Sequence, residues 1–181
     1  MKNFRYFFVK VKYRLKGRDK EVINRYFRKM GMNIGIGCNI VPNITTTEPF
    51  LINIGENTTL AGGVTLCTHD NSVSKMIPNC TDMFGKITIG KNCFIGQNAL
   101  IMYGVTLADD IVVAAGSVVT KSCFRNRVIL GGNPAKIIGT YDEFIEKNRE
   151  RVFNLDQIPK EHLKETILES AKLIHRSEWN E

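Results

Sequence analysis

Histidine is scarce in this chain of 181 residues, where it occurs only at His69, His162 and His175. Only the first lies in the central region, which excludes a catalytic metal held by several converging imidazoles there. Five cysteines, at 38, 67, 80, 93 and 123, show no paired metal-ligand spacing and no disulfide framework, so the composition fits a reducing cytoplasm. No apolar run is long enough to span a bilayer. Charges break the apolar start MKNFRYFFVKVKYRLKG, which argues against a cleaved signal peptide. A phosphate-cradling glycine loop of Walker type is missing as well. Acidic residues are absent before Asp19: residues 1–30 hold 11 Lys or Arg against Asp19 and Glu21, within a net charge of +7 for the whole chain. The basic character therefore belongs to an N-terminal arm. The remainder carries slightly more acid than base, which does not suit a nucleic-acid-binding surface.

What the chain does have is a six-residue period. Ile89, Ile95, Ile101, Leu107, Val113 and Val119 stand six apart, and Cys93, Ala99, Val105, Ile111 and Ser117 follow four places after successive anchors. Neither a helix near 3.6 residues nor an alternating strand fits this spacing. Short strands joined by tight corners and wound into a prism do, each turn burying its inward row on the next. Ile36, Ile54, Leu60 and Leu66 continue the pattern upstream in one register. From Leu66 to Leu107 the count is off by one, because Ile89 falls 23 residues after Leu66. The chain therefore leaves the prism between them, and His69 stands where it leaves.

Three regions follow: a basic helical arm over 1–30, a β-helix over 31–139 with an excursion loop at 67–86, and helices over 140–181. Residues 3–16 read as a helix with Phe4, Phe7, Phe8, Val11 and Leu15 on one face, although Val9, Val11, Tyr13 and Leu15 also alternate with basic residues as in a strand. That apolar face either packs over the open end of the first coil or, with its flanking Lys and Arg, docks on anionic lipid. Asp19 caps a second helix over 20–30, and Gly31 suits its end. Thr140 and Glu143 form a capping box for a helix to about 153. Pro159 opens a last helix over 159–175 carrying His162 and His175, both read as solvated. Helices at the two ends would cover the open sheet edges.

Four segments carry a resemblance: EPFLINIGENTTLAGGVTLCTHD at 48–70, FGKITIGKNCFIGQNALIMYGVTL at 84–107, AAGSVVTK at 114–121 and GGNPAKII at 131–138. Together they resemble the hexapeptide-repeat acyltransferases, and among them the sugar and polysaccharide O-acetyltransferases related to the galactoside, maltose and serine enzymes. The resemblance implies a left-handed parallel β-helix, a homotrimer with sites between neighbouring subunits, acetyl-coenzyme A as donor, no metal, and a sugar hydroxyl as acceptor, such as one on a surface-polysaccharide precursor at the inner face of the membrane. Serine or an amino sugar is the alternative acceptor, and a non-enzymatic trimeric scaffold the alternative role.

By the same resemblance His69 is the general base and acid, since an imidazole with an ordinary pKa near 6.5 can take the hydroxyl proton and return it to the thiolate. Glu48, roughly one coil earlier, is a candidate to orient the imidazole or to hold acceptor. Asp70, Asn57 and Phe84 are further acceptor candidates. Asp70 can equally turn the loop, and Asn57 (like Asn53) can equally be a corner residue. For the donor, Phe94, Gln97 and Ala115 would line the pantetheine, with Gly96 and Gly116 allowing close backbone approach. Thr120 and Lys121 would meet the adenine and phosphate end, and Lys136 the 3′-phosphate.

Overall fold

Strands of two or three residues cannot hold a sheet alone, so those of the prism pair in parallel with strands one coil away. The computed structural model describes residues 2–174 and divides into two compact units after Thr140. In the first unit, helices α1 (Lys2–Leu15) and α2 (Lys20–Lys29) precede the coils. The first coil holds β1 (Asn33–Ile34), β2 (Asn39–Ile40) and β3 (Thr45–Thr46); the second holds β4 (Ile52–Ile54), β5 (Thr59–Leu60) and β6 (Thr65–Leu66). Strands β7 (His69–Asp70) and β8 (Met83–Phe84) then leave the prism as an antiparallel pair. The third coil holds β9 (Ile87–Ile89), β10 (Phe94–Ile95) and β11 (Leu100–Ile101); the fourth holds β12 (Thr106–Leu107), β13 (Ile111–Val113) and β14 (Val118–Val119). Three faces result: β1-β4-β9-β12, β2-β5-β10-β13 and β3-β6-β11-β14. Strand β15 (Val128–Gly132) extends the second face in parallel, and β16 (Ala135–Thr140) closes it antiparallel.

The inward rows are aliphatic and buried: Ile34, Ile54, Ile89 and Leu107 on the first face, and Ile40, Leu60, Ile95, Val113 and Leu130 on the second. Each fully buried side chain of this size contributes about 1.5–3 kcal/mol. At the first corner Cys38 and Cys93 fill the interior as small apolar groups, and burial pushes the Cys93 thiol up to about 11. Thr58 is buried there too, donating to the Gly90 carbonyl at 2.8 Å and accepting from the Cys93 amide at 3.0 Å. A Cβ on Gly55 would meet the Gly90 carbonyl carbon at 2.6 Å, so the stacked corner requires glycine.

The register departs from the expectation in the first coil. Ile34, not Ile36, stacks on Ile54, and Ile36 is 80% exposed. Two additional residues between β3 and β4, around the 3₁₀ turn Pro49–Leu51, shift the frame. From the third coil to the fourth the spacing is the regular eighteen, with Phe94 opposite Val112 and Leu100 opposite Val118.

The arm is helical, and its packed face is a correction. Phe4 (71%), Phe7 (58%), Phe8 (55%) and Leu15 (83%) are exposed, while Tyr6, Val9 and Tyr13 pack against the core. Tyr6 stacks on Tyr26 with ring centroids 4.6 Å apart and donates to the Pro42 carbonyl at 2.7 Å. A phenylalanine face turned inward could not supply that hydrogen bond. Helix α2 covers the first coil with buried Ile23 and Phe27. Its side chains satisfy the edge carbonyls: Asn24 Nδ2 donates to Cys38 at 2.8 Å, and Arg28 donates to Ile34 and Gly35 at 3.0 Å each. At the other end it is β16, rather than a helix, that pairs with the edge strand β15.

In the second unit, α3 (Tyr141–Asn148) gives way to a 3₁₀ turn at Arg149–Arg151, and α4 spans only Leu163–Leu168. The expected helix over 159–175 is therefore much shorter. Neither α3 nor α4 buries a residue, and helices without a packed face are marginal at such lengths. His175 lies outside the described residues. Among the described residues no helix is long and apolar enough to cross a membrane.

The corrected register predicts that Ile34→Ala costs about 2–5 kcal/mol by denaturant unfolding. Ile36→Ser should stay within about 0.5 kcal/mol of wild type. The reverse order would restore the uninterrupted hexad frame.

Candidate active site

Both departures from the regular coil fall at the corner between the third and first faces, in successive coils, and the site is built there. The two-residue lengthening before β4 presents Thr47 and Glu48, with Pro49 buried beside them. One coil later the chain turns out of the prism through buried Thr68 into His69, which pairs with Phe84 across β7–β8.

One carboxylate oxygen gathers this site. Glu48 Oε2 lies 2.9 Å from His69 Nδ1 and accepts from the Thr47 hydroxyl at 2.7 Å and from the Thr68 hydroxyl. Thr47 Oγ1 is also 3.2 Å from His69 Nδ1. Burial works to raise the Glu48 carboxyl, but the hydrogen bonds from Thr68, Thr47 and His69 outweigh it and lower it to about 2. Glu48 is therefore ionised across the working range. The hydrogen bond to Glu48, opposed by desolvation and helped by its charge, holds the His69 imidazole above its usual value.

An ionised carboxylate at Nδ1 selects the tautomer with its proton on Nδ1. The lone pair is then left on Nε2, where it can accept a proton. The Phe84 ring stands 5.9 Å from the imidazole, centroid to centroid, and walls the site from the loop side.

The structure sorts the remaining candidates. Asp70 turns the loop: its Oδ1 accepts from the Ser72 amide at 2.8 Å and its Oδ2 from the Tyr103 hydroxyl at 3.1 Å. Those bonds, the Ser72 amide first, hold its carboxyl below the usual range. Asn57 sits at the first corner with φ of 56°, exposed, on a different edge from His69. Gln97, Ala115 and Gly116 lie exposed at the second corner, and Phe94 faces outward on the second face. Thr120 and Lys121 are exposed after β14, at the same corner as His69 but two coils on, and Lys136 is exposed on β16. A single chain thus brings Glu48 and Phe84 to His69 but leaves Gln97, Ala115 and Gly116 on another edge and Phe94 on the second face. Gly96 has a packing reason of its own, since a Cβ there would meet the Ala115 amide nitrogen at 2.6 Å. Gly116 has φ of 70° and open space around it.

Three side chains escaped the sequence reading: Thr47, Thr68 and Tyr103. The two threonines pair across one coil, a signal visible only once the lengthening before β4 is known. Among the described residues no three His, Cys, Asp or Glu side chains are grouped to hold a metal ion.

A family model described as hexapeptide repeat of succinyl-transferase matches residues 86–121. Protein CapG of Staphylococcus aureus is 40% identical over 126 residues, covering 66% of this chain and 72% of that one. The galactoside O-acetyltransferase of Escherichia coli K12 is 37% identical over 111 residues, covering 60% of this chain; the chain spans only about half of that enzyme, 54%. A solved structure of galactoside acetyltransferase in complex with coenzyme A superposes with a TM-score of 0.55 at 26% identity, covering 70% of this chain and 73% of that one.

The hydrogen-bond pattern predicts that His69, followed by NMR titration, has its midpoint above the ordinary 6.5 for histidine. In Glu48→Gln the imidazolium loses its carboxylate partner, so the midpoint should move to lower pH. A midpoint unmoved by the substitution would contradict the pairing.

Proposed function

We propose, because the chain belongs to the hexapeptide-repeat acyltransferase family, that it transfers an acetyl group from acetyl-coenzyme A to a sugar hydroxyl. The observation that carries this reading is the Glu48–His69 pair at 2.9 Å, which leaves Nε2 as a base beside an open loop. As the acceptor oxygen attacks the thioester carbonyl carbon, Nε2 takes the hydroxyl proton. The C–S bond then breaks, and the imidazolium returns that proton to the departing thiolate sulfur. Ester and free thiol are the products, and His69 ends as it began. Glu48 keeps its charge throughout and stabilises the imidazolium in between.

The sugar acceptor is supported by the similarity to the galactoside enzyme, and the donor by the coenzyme A complex of its structural relative. Serine and an amino sugar are the competing acceptors. The donor is a cytoplasmic thioester, which makes the cytoplasm the proposed compartment.

The donor groove is proposed to form between copies of a left-handed β-helix assembled as a homotrimer. Two observations support this. Phe94 stands on the second face and Gln97, Ala115 and Gly116 at the second corner, all away from His69, so one chain alone offers no continuous groove. The outward rows also differ. The first face is polar throughout, at Asn33, Asn53, Thr88 and Thr106, whereas the other two begin polar, at Thr45 and Thr65 and at Asn39 and Thr59, and turn apolar in the last two coils, at Leu100 and Val118 on the third face and at Phe94 and Val112 on the second. Apolar outward pairs suit burial against a neighbour, and a ring closes without leftover edges. In that arrangement Thr120, Lys121 and Lys136 would meet the phosphate-bearing end of the donor.

Purified protein should release thiol from acetyl-coenzyme A with sugar acceptors while sedimenting at three times its 20.5 kDa chain mass. His69→Ala should keep that mass and lose turnover by about 10²–10⁴-fold. A monomer, or near wild-type turnover in His69→Ala, would overturn the reading.

A further inference from the structure

We propose that α1 docks the protein on an anionic lipid bilayer, lying flat with its phenylalanine face in the boundary between headgroups and acyl chains. The helix has two faces, and the fold uses only one. Tyr6, Val9 and Tyr13 pack inward, Tyr6 being tied down by its stack on Tyr26 and its bond to Pro42. On the opposite side Phe4, Phe7, Phe8, Val11 and Leu15 form a continuous exposed stripe with no polar residue inside it. At 100° per residue, Arg5, Lys12 and Lys16 line one flank of this stripe, and Lys10 and Arg14 the other. Asp19 is the first acidic residue of the chain. An apolar stripe between two basic flanks is the composition of an interfacial helix.

The charge pattern also selects the occupant. Two copies of this face brought together would set basic rims against basic rims with no acid in the helix to offset them. Anionic lipid supplies both halves of the match, acyl chains for the phenylalanines and headgroup charge for the flanks. A groove of about 400 Å³ runs beneath α1, walled by Tyr6, Lys10, Met30 and Thr45–Thr47. Thr47, in its wall, touches His69. Docking through the opposite face of α1 would hold this groove about one helix diameter, roughly 10 Å, from the lipid surface, within reach of an acceptor carried on a lipid. That last consequence rests on the acetyl-transfer reading, whereas the docking itself does not.

The experiment is flotation of the full chain with vesicles of phosphatidylcholine alone or mixed with phosphatidylglycerol, at low and high salt. Binding is expected on the anionic vesicles at low salt, falling steeply as salt screens the basic flanks. Phe7→Ser/Phe8→Ser should weaken it by about tenfold or more, with helix content and sedimentation unchanged. Lys12→Glu/Lys16→Glu should do the same. Acetyl transfer to a soluble sugar is read on the same preparations, and its absence in all of them would count against the function and not against docking. Wild type that fails to float at low salt, that floats equally on neutral vesicles, or that is matched by the double-serine variant would overturn the proposal. So would loss of assembly in the double-serine variant, which would give the stripe to a second copy.

Discussion

Everything in the first unit depends on the parallel ladders that tie each coil to the next. Once Thr88 is opposite Thr106, Phe94 opposite Val112 and Leu100 opposite Val118, no face can gain a residue without turning an inward aliphatic outward. Additional chain can enter only at a corner. Here it enters at one corner in two successive coils: two residues before β4 and seventeen before β9, as Ile34 opposite Ile54 and Ile54 opposite Ile89 require. The shorter departure presents Thr47 and Glu48, and the longer one starts with Thr68 and His69. Glu48 meets His69 because both irregularities share an edge of an otherwise regular prism.

At that edge the electrostatics are set by hydrogen bonding more than by burial. Desolvation alone would push the Glu48 carboxyl upward, yet three donors on one oxygen bring it to about 2. The proton between the pair therefore stays on the imidazole. Glu48 orients the ring and steadies its charged form without becoming protonated itself. Thr68, buried in the wall, and Thr47, at the rim, keep that carboxylate in place, so the ring inherits the rigidity of the ladders.

Much of this was legible in the chain. From Ile54 onward, apart from the break at the excursion loop, the six-residue spacing identifies the inward rows, because each hexad places its aliphatic on the next face in turn and three hexads complete a coil. It fails at Ile36, where the two residues added around Pro49 carry no anchor to count from. Residues 3–16 hold two helical stripes, and their spacing cannot say which one packs; the Tyr6 hydroxyl reaching Pro42 decides it. Glu48 was within reach as a residue about one coil before His69. Thr47 and Thr68 were not, since outward threonines also recur on these faces, as at Thr59, Thr88 and Thr106. Asn57 shows the opposite limit: a polar residue at a promising distance in sequence occupies a positive-φ corner on another edge.

In the proposed acetyl transfer an ionised Glu48 makes His69 the base. The most direct measurement is the pH dependence of kcat/KM for acetyl transfer in wild type and in Glu48→Gln. The wild-type acidic limb should lie above the ordinary histidine midpoint near 6.5. In Glu48→Gln it should shift to lower pH, because the imidazolium is no longer stabilised, while the plateau falls. An acidic limb at the same pH in both proteins, with the plateau preserved, would contradict the account.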